Sequence, residues 1–165
     1  MERKEKNKNM PSAERAKEII KRVIYITIAT ASKDGQPWNS PVYSAYDKNY
    51  NFFWASWKDN QHSKNIAENK NIFLVIYDST VPQGAGEGVY VKAKAQELRE
   101  EKEIREALAL LYTRKNEDPQ KRKPAEFLGN YPRRVYKAVP EKFWMNSDGN
   151  VSGNYIDTRV EVKLL

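Results

Sequence analysis

Few residue groupings in this 165-residue chain could do chemistry, and two of them carry recognisable spacing. The first is Gln61-His62-Ser63-Lys64-Asn65, which contains the only histidine of the chain. At the first turn of a helix this grouping suits an anion. Ser63 offers a hydroxyl donor, Lys64 a point charge, and the first-turn backbone amides the remaining hydrogen bonds. A metal role for His62 fails for want of partners, because one histidine and no cysteine leave no multi-histidine or thiolate site. A general-base role for His62 lacks an orienting carboxylate. On residues alone an ordinary exposed polar turn remains open beside the anion reading. The second grouping is Gly84-x-Gly86-x-Gly88. Its spacing is not that of a dinucleotide fingerprint, and it leads into a strand rather than a helix, so it reads as a mobile turn.

The elements that would position these groups follow from hydropathy. Residues 1–10 read as a flexible basic arm and 11–165 as one domain. Ser12 is placed to cap a helix running to about Arg22, with Glu14 at its positive end. From Ile24 the period changes to two: Ile24, Ile26 and Ile28 alternate with Tyr25, Thr27 and Ala29, which reads as a half-buried strand. Asp34-Gly35 supplies a hairpin turn. A second strand spans roughly Trp38 to Tyr46, with an irregularity expected at Pro41. A third, Asn51 to Ser56, contains Phe52, Phe53 and Trp54, whose rings read as core. Lys58 to Lys70 reads as a short helix anchored by Ile66. Ile72 to Tyr77, the longest apolar run, reads as a strand buried on both faces. Ser79 to Gly88 is a loop, and Val89 to Ala95 alternates as a strand. Glu100 to Lys115 is the strongest helix, with Ile104, Ala107, Leu108 and Leu111 on one face. A helical turn around Ala125 to Leu128 follows. Arg133 to Val139 and Tyr155 to Leu164 read as the last strands, the latter placing Val160, Val162 and Leu164 together. About seven strands with hairpin connections demand antiparallel pairing, and in one small domain they suggest a closed or nearly closed barrel with helices outside.

The net charge is +7. It concentrates in residues 1–10, 114–123 and 133–142, which together carry +8 and leave about −1 for the rest. Each segment alone reads as a solvated face; a functional reading requires the last two to converge on an anion. No recognised nucleic-acid fold accompanies the charge, which argues against a nucleic-acid partner. No apolar run approaches the roughly 20 residues of a spanning helix and no secretory signal is visible, so the expectation is a cytoplasmic domain without a membrane partner.

Several segments occur in one order: Ile24 to Ala31, Asp34-Gly35-Gln36-Pro37, Ser40-Pro41-Val42, Phe53-Trp54-Ala55-Ser56, Ser63-Lys64-Asn65-Ile66 and Ile72-Phe73-Leu74-Val75. Gly88 to Ala95 and Arg134-Val135-Tyr136-Lys137-Ala138-Val139-Pro140 continue it. This order resembles the pyridoxamine 5'-phosphate oxidase-like family of flavin-binding split β-barrels over about residues 18–165. The resemblance implies a mainly β fold, a six- to seven-stranded antiparallel Greek-key split barrel with peripheral helices. It also implies a homodimer with FMN in clefts at the subunit interface, acting as an oxidoreductase on a small-molecule substrate. By position, it puts Ser63 and Lys64 beside His62 at the FMN phosphate. Trp54, Ala55 and Ser56 fall along the ribityl chain, and Ser40, Pro41 and Val42 against the isoalloxazine. Gln83 falls where the partner subunit approaches the ring, and Trp144 on the substrate side.

The chain departs from the oxidase proper. Asn39 and Ser44 stand where that enzyme has an arginine and a lysine, Ser63-Lys64 where it has an arginine–lysine pair, and Ala93 where a glycine is usual. Two cationic phosphate contacts are thereby absent, which weighs against pyridoxamine phosphate oxidation. A deazaflavin with an acidic tail is the alternative cofactor, motivated by the segments 114–123 and 133–142. Haem on the same scaffold has only His62 as an imidazole ligand, and a non-enzymatic binder of flavin or another anion is the remaining alternative.

Overall fold

The structure, a computed structural model, describes residues 11–165 apart from the side chains of Asn150, Val151 and Tyr155; the basic arm expected over residues 1–10 lies outside the described residues. Ser12 is extended and its hydroxyl accepts the Arg15 N–H at 3.1 Å, which starts helix α1 (Ala13–Arg22) as the sequence predicts. Ala16, Ile19 and Ile20 form its buried stripe. Strand β1 (Tyr25–Ala31) then buries Ile26, Ile28 and Thr30 in strict alternation. A turn over Ser32–Gln36, where Gly35 takes φ +89°, folds the chain into β2 (Pro37–Tyr43).

The pairing of β1 with β2 runs unbroken from Tyr25 opposite Tyr43 to Ala31 opposite Pro37. The irregularity expected at Pro41 is therefore absent. The Ser44 N–H bonds the Ile24 carbonyl at 3.0 Å, a phase that makes Thr27 and Pro41 a non-hydrogen-bonded pair. Proline's missing N–H then faces the open edge, where it costs no ladder bond. At Ser44 the expected second strand ends, and Ala45–Tyr46 forms a separate short β3. In the following turn the Asp47 carboxylate takes the Asn49 and Asn51 N–H groups at 2.9 Å each.

Next come β4 (Phe52–Trp57), α2 (Gln61–Glu68), β5 (Asn71–Tyr77), β6 (Gly88–Glu97), α3 (Glu101–Arg114) and a 3-10 turn at Pro124–Phe127. The chain closes with β7 (Arg133–Val151) and β8 (Asn154–Val162). All strand pairs are antiparallel, in the order β2-β1-β5-β6-β7-β4-β3, with β8 on β7. This is the mainly β barrel with helices outside that the sequence implies. Its interior holds Ile28, Trp54, Leu74, Ile76, Val91 and Tyr136 among others. A smaller cluster under α3 gathers Phe53, Ile104, Leu108, Phe127 and Val135.

Three further expectations are corrected. The run Ile72–Tyr77 is buried on one face only: Ile72, Leu74 and Ile76 point inward, while Phe73 and Tyr77 are exposed. Strand β5 lies between β1 and β6 with its outer face open, so its apolarity reflects a second, uncovered surface. Strand β7 does not stop at Val139 but passes Pro140 through a register shift opposite Lys92 and Ala93, then forms a hairpin with β8. The shift absorbs the proline that ended the strand on paper. Finally, Val160 is exposed although Val162 and Leu164 are buried.

Candidate functional site

The two ends of the strand path are β2 and the β4–β3 pair, and among the described residues no backbone ladder joins β2 to β4. One described side chain bonds across the seam to both strands. His62, in the first turn of α2, places Nδ1 3.1 Å from the Ser40 hydroxyl on β2 and Nε2 2.8 Å from the Ser56 hydroxyl on β4. Strand period explains why these serines meet. Ser40 has the parity of inward-facing Val42, and Ser56 that of inward-facing Trp54, so both hydroxyls point into the seam.

Each serine already serves another donor. The Trp38 indole N–H reaches Ser40 at 3.1 Å, and the Asn60 amide reaches Ser56 at 2.8 Å. The imidazole is 6% exposed, and burial pushes its pKa below the ordinary value. The ring is therefore neutral at pH 7, donating to one serine and accepting from the other. A neighbouring buried chain runs from the Gln61 amide to Asn65 (2.8 Å), from the Asn65 amide to Thr30 (3.0 Å), and from Thr30 to the Trp38 carbonyl (3.2 Å).

Asn60 is the N-cap of α2, yet its side chain is spent on Ser56 and caps nothing. The first-turn amides of α2 are left without a side-chain cap, no acidic residue stands in that turn, and the helix dipole is unopposed. Lys58 and Lys64 are exposed beside it, and neither has an ion-pair partner among the described residues. Trp38, 49% exposed, stands at the seam with its indole on Ser40, whereas Trp57, 55% exposed, has the parity opposite to Ser56 and faces away from it. Free amides, unpaired lysines and an aromatic wall suit a planar anionic ligand.

The sequence-derived site residues divide into groups. Ser40, Ser56 and His62 come together at the seam, Ser63 turns to the β4 and β7 side, and Lys64 is exposed on α2. Ser63 is buried, and its hydroxyl donates to the Trp57 carbonyl at 2.7 Å and also meets the Tyr136 phenol. Burial raises the phenol's pKa, an effect that the Ser63 bond partly offsets. Val42 and Trp54 face the core, where Trp54 stacks on Tyr136 at 5.6 Å, while Pro41 and Ala55 are exposed. Gln83 is exposed on the glycine loop. Asn146 pins that loop by bonds to the Gly86 carbonyl (2.9 Å) and the Gly88 N–H (2.7 Å), and an Arg15–Glu87 ion pair adds a second anchor. Trp144 lies on the outer face of β7, stacked on Phe73 at 6.1 Å. Neither Gln83 nor Trp144 is tied into the seam network.

Trp38 and Asn60 were missed by sequence reasoning. A tryptophan two residues from Ser40 on the same face of its strand is the signal that could have found the first.

Several basic side chains of the two late segments are engaged internally. Lys121 pairs with Glu117, Arg122 with Glu126, Arg134 with Glu97, and Lys142 with Glu161, at 2.6–3.2 Å. Arg114 is spent on the carbonyls of Ile20, Lys21 and Val23. No described helix is long and apolar enough to cross a membrane.

Comparison with known proteins agrees with this architecture. The sequence model described as pyridoxamine 5'-phosphate oxidase matches residues 12–145. No curated protein sequence matches the chain. Among solved structures, a candidate 5-nitroimidazole antibiotic resistance protein from Bacteroides thetaiotaomicron superposes with TM-score 0.69 at 15% identity, over 82% of this chain and 84% of that one. HutZ, the heme storage protein from Vibrio cholerae, gives TM-score 0.66 at 17% identity, over 80% and 92%. A candidate pyridoxamine 5'-phosphate oxidase from Listeria innocua gives 0.61 at 13%, over 86% and 98%.

Proposed function

Because the chain belongs to the pyridoxamine 5'-phosphate oxidase family, we propose that it binds FMN at the seam between β2 and β4 and acts, as a homodimer, as a flavin-dependent oxidoreductase. The observation that carries this reading is the uncapped first turn of α2, set at the seam beside half-exposed Trp38. The α2 amides and Lys64 would hold the phosphate. Ser40, Pro41 and Val42 on one side of the seam and Trp54, Ala55 and Ser56 on the other give the backbone along which the remainder lies. Trp38 would shield it from water. Bound FMN supplies the redox chemistry itself. The chain's own contribution is binding and orientation, since the one imidazole at the seam is buried with both nitrogens engaged.

The homodimer is supported by the outer face of the sheet. Tyr25, Tyr77 and Phe73, 59%, 48% and 37% exposed, lie there with the Phe73–Trp144 stack. A second copy covering this face would also bring the Gln83 loop and Trp144 towards another protomer's cofactor. An apolar surface of this extent is the kind that marks an association site.

Some structural neighbours bind haem, but this chain has a single histidine, and an imidazole–iron bond would break one of its two serine contacts. The internally paired basic segments favour FMN over a deazaflavin with a long acidic tail. Titration of purified protein with FMN, a deazaflavin and haemin tests the reading. Quenching of flavin fluorescence at one FMN per chain is expected. Preference for either of the other two would overturn it.

A further inference from the structure

We propose that His62 is a positioning residue whose imidazole latches β2 to β4, and that the seam keeps the spacing FMN needs only while that ring is uncharged. The second half rests on the flavin reading; the first does not. The argument is one of counting protons. Ser40 Oγ accepts from the Trp38 indole and Ser56 Oγ from the Asn60 amide, and each also bonds one ring nitrogen, at 3.1 and 2.8 Å. With a neutral ring buried Ser56 gives its proton to the bare Nε2, and half-buried Ser40, which accepts from the Trp38 indole and the ring N–H, turns its own proton to solvent. An imidazolium must donate at both nitrogens. Each serine oxygen would then accept twice, and the serine that had bonded the bare nitrogen would lose the acceptor for its own proton. Water reaches the Ser40 hydroxyl but not that of Ser56, which is buried with the ring, so the proton Ser56 can no longer place stays unsatisfied.

Nothing charged compensates. The ring bonds Ser40 from β2 and Ser56 from β4, which in turn hold the Trp38 indole and the Asn60 amide. The buried residues of β1 and β6, the other strands packed on α2, are uncharged, Lys58, Asp59 and Lys64 beside it in sequence are exposed, and burial lowers the imidazole's pKa. Because the seam has no backbone ladder, losing this tie releases β2 at its Ser40 end, and with it the wall opposite the α2 amides.

The chain's single histidine makes the test direct, since its imidazole NMR signals assign themselves. The affinity of the purified chain for FMN is measured by fluorescence quenching from about pH 5 to about pH 8, for wild type and for His62→Gln, whose amide can still donate to one serine and accept from the other without titrating. The second ionisation of the phosphate, near pH 6, is common to both proteins, so the ratio of their Kd values isolates the latch. The ratio of wild-type to variant Kd is expected to be flat above the measured imidazole pKa and to rise by up to about tenfold per pH unit below it. A ratio independent of pH overturns the proposal. So does one that falls in acid, which would mean that the ring turns outward to meet the phosphate as a cation. If neither protein quenches FMN at any pH, the flavin reading fails and the latch is judged by amide hydrogen exchange in β2. Exchange faster than the intrinsic acid dependence in wild type, but not in His62→Gln, upholds it. Identical profiles overturn it.

Discussion

Replacing Ser56 by alanine isolates the stability that the seam network contributes. Ser56 is buried and accepts the Asn60 amide while bonding His62 Nε2 at 2.8 Å. Asn60 is exposed, so its freed amide turns to water at little cost. His62 Nε2 has no such recourse, and an orphaned buried polar group costs about 1–3 kcal/mol. Ser40→Ala is the internal control. Ser40 is only half-buried, its contact to Nδ1 is longer at 3.1 Å, and Trp38 is half exposed, so water replaces much of what is lost and the expected cost is below about 1 kcal/mol. Urea unfolding followed by tryptophan fluorescence reads both, with an unchanged slope and a lower midpoint. In a chain of this size each kcal/mol corresponds to roughly 2–4 °C in Tm. A Ser56→Ala variant within about 0.3 kcal/mol of wild type, or a Ser40→Ala variant that is the more damaging, would refute the reasoning.

Other expectations follow from the same contacts. Because the fold holds His62 less basic than the unfolded chain does, the unfolded state binds more protons below about pH 6.5. Stability should therefore be level above that pH and decline as pH falls through the folded-state pKa, a decline absent in His62→Gln; thermal melts across this range check it. Arg114 donates to the Ile20, Lys21 and Val23 carbonyls at 2.7, 3.2 and 2.9 Å, closing the C-terminal end of α1. Arg114→Gln should cost roughly 2 kcal/mol by denaturant unfolding. Tyr25→Lys combined with Phe73→Lys should halve the sedimentation mass without unfolding the chain, since both side chains are on the exposed outer face; a mass unchanged from a dimeric wild type would place the interface elsewhere.

Most of the strand and helix pattern was legible because period and turn chemistry agreed. Ser12 capped α1, Gly35 turned the first hairpin, and the alternation Val89, Val91, Ala93, Ala95 lay inward as written. The failures share one cause, since a local pattern does not say what covers a surface. The apolar run Ile72–Tyr77 looked doubly buried because nothing in it marks Phe73 and Tyr77 as facing outward. Pro41 and Pro140 looked disruptive, yet one faces an open edge and the other sits at a register shift. At the site, the polar run Gln61–Asn65 was found by residue type. That His62 joins Ser40 to Ser56 was not, because 22 and 6 residues separate these partners in sequence and only the closure of the strand order brings them together. The excess of positive charge misled for a related reason, as internal carboxylates and carbonyls take up most of its late segments.

The most direct test of the central claim is the absorption spectrum of the purified chain, recorded as isolated and after addition of FMN and removal of the excess. A flavin spectrum at about one FMN per chain, perturbed from that of free FMN, is the predicted result. A preparation that stays colourless after FMN is added, or one that takes up haem in its place, would contradict it.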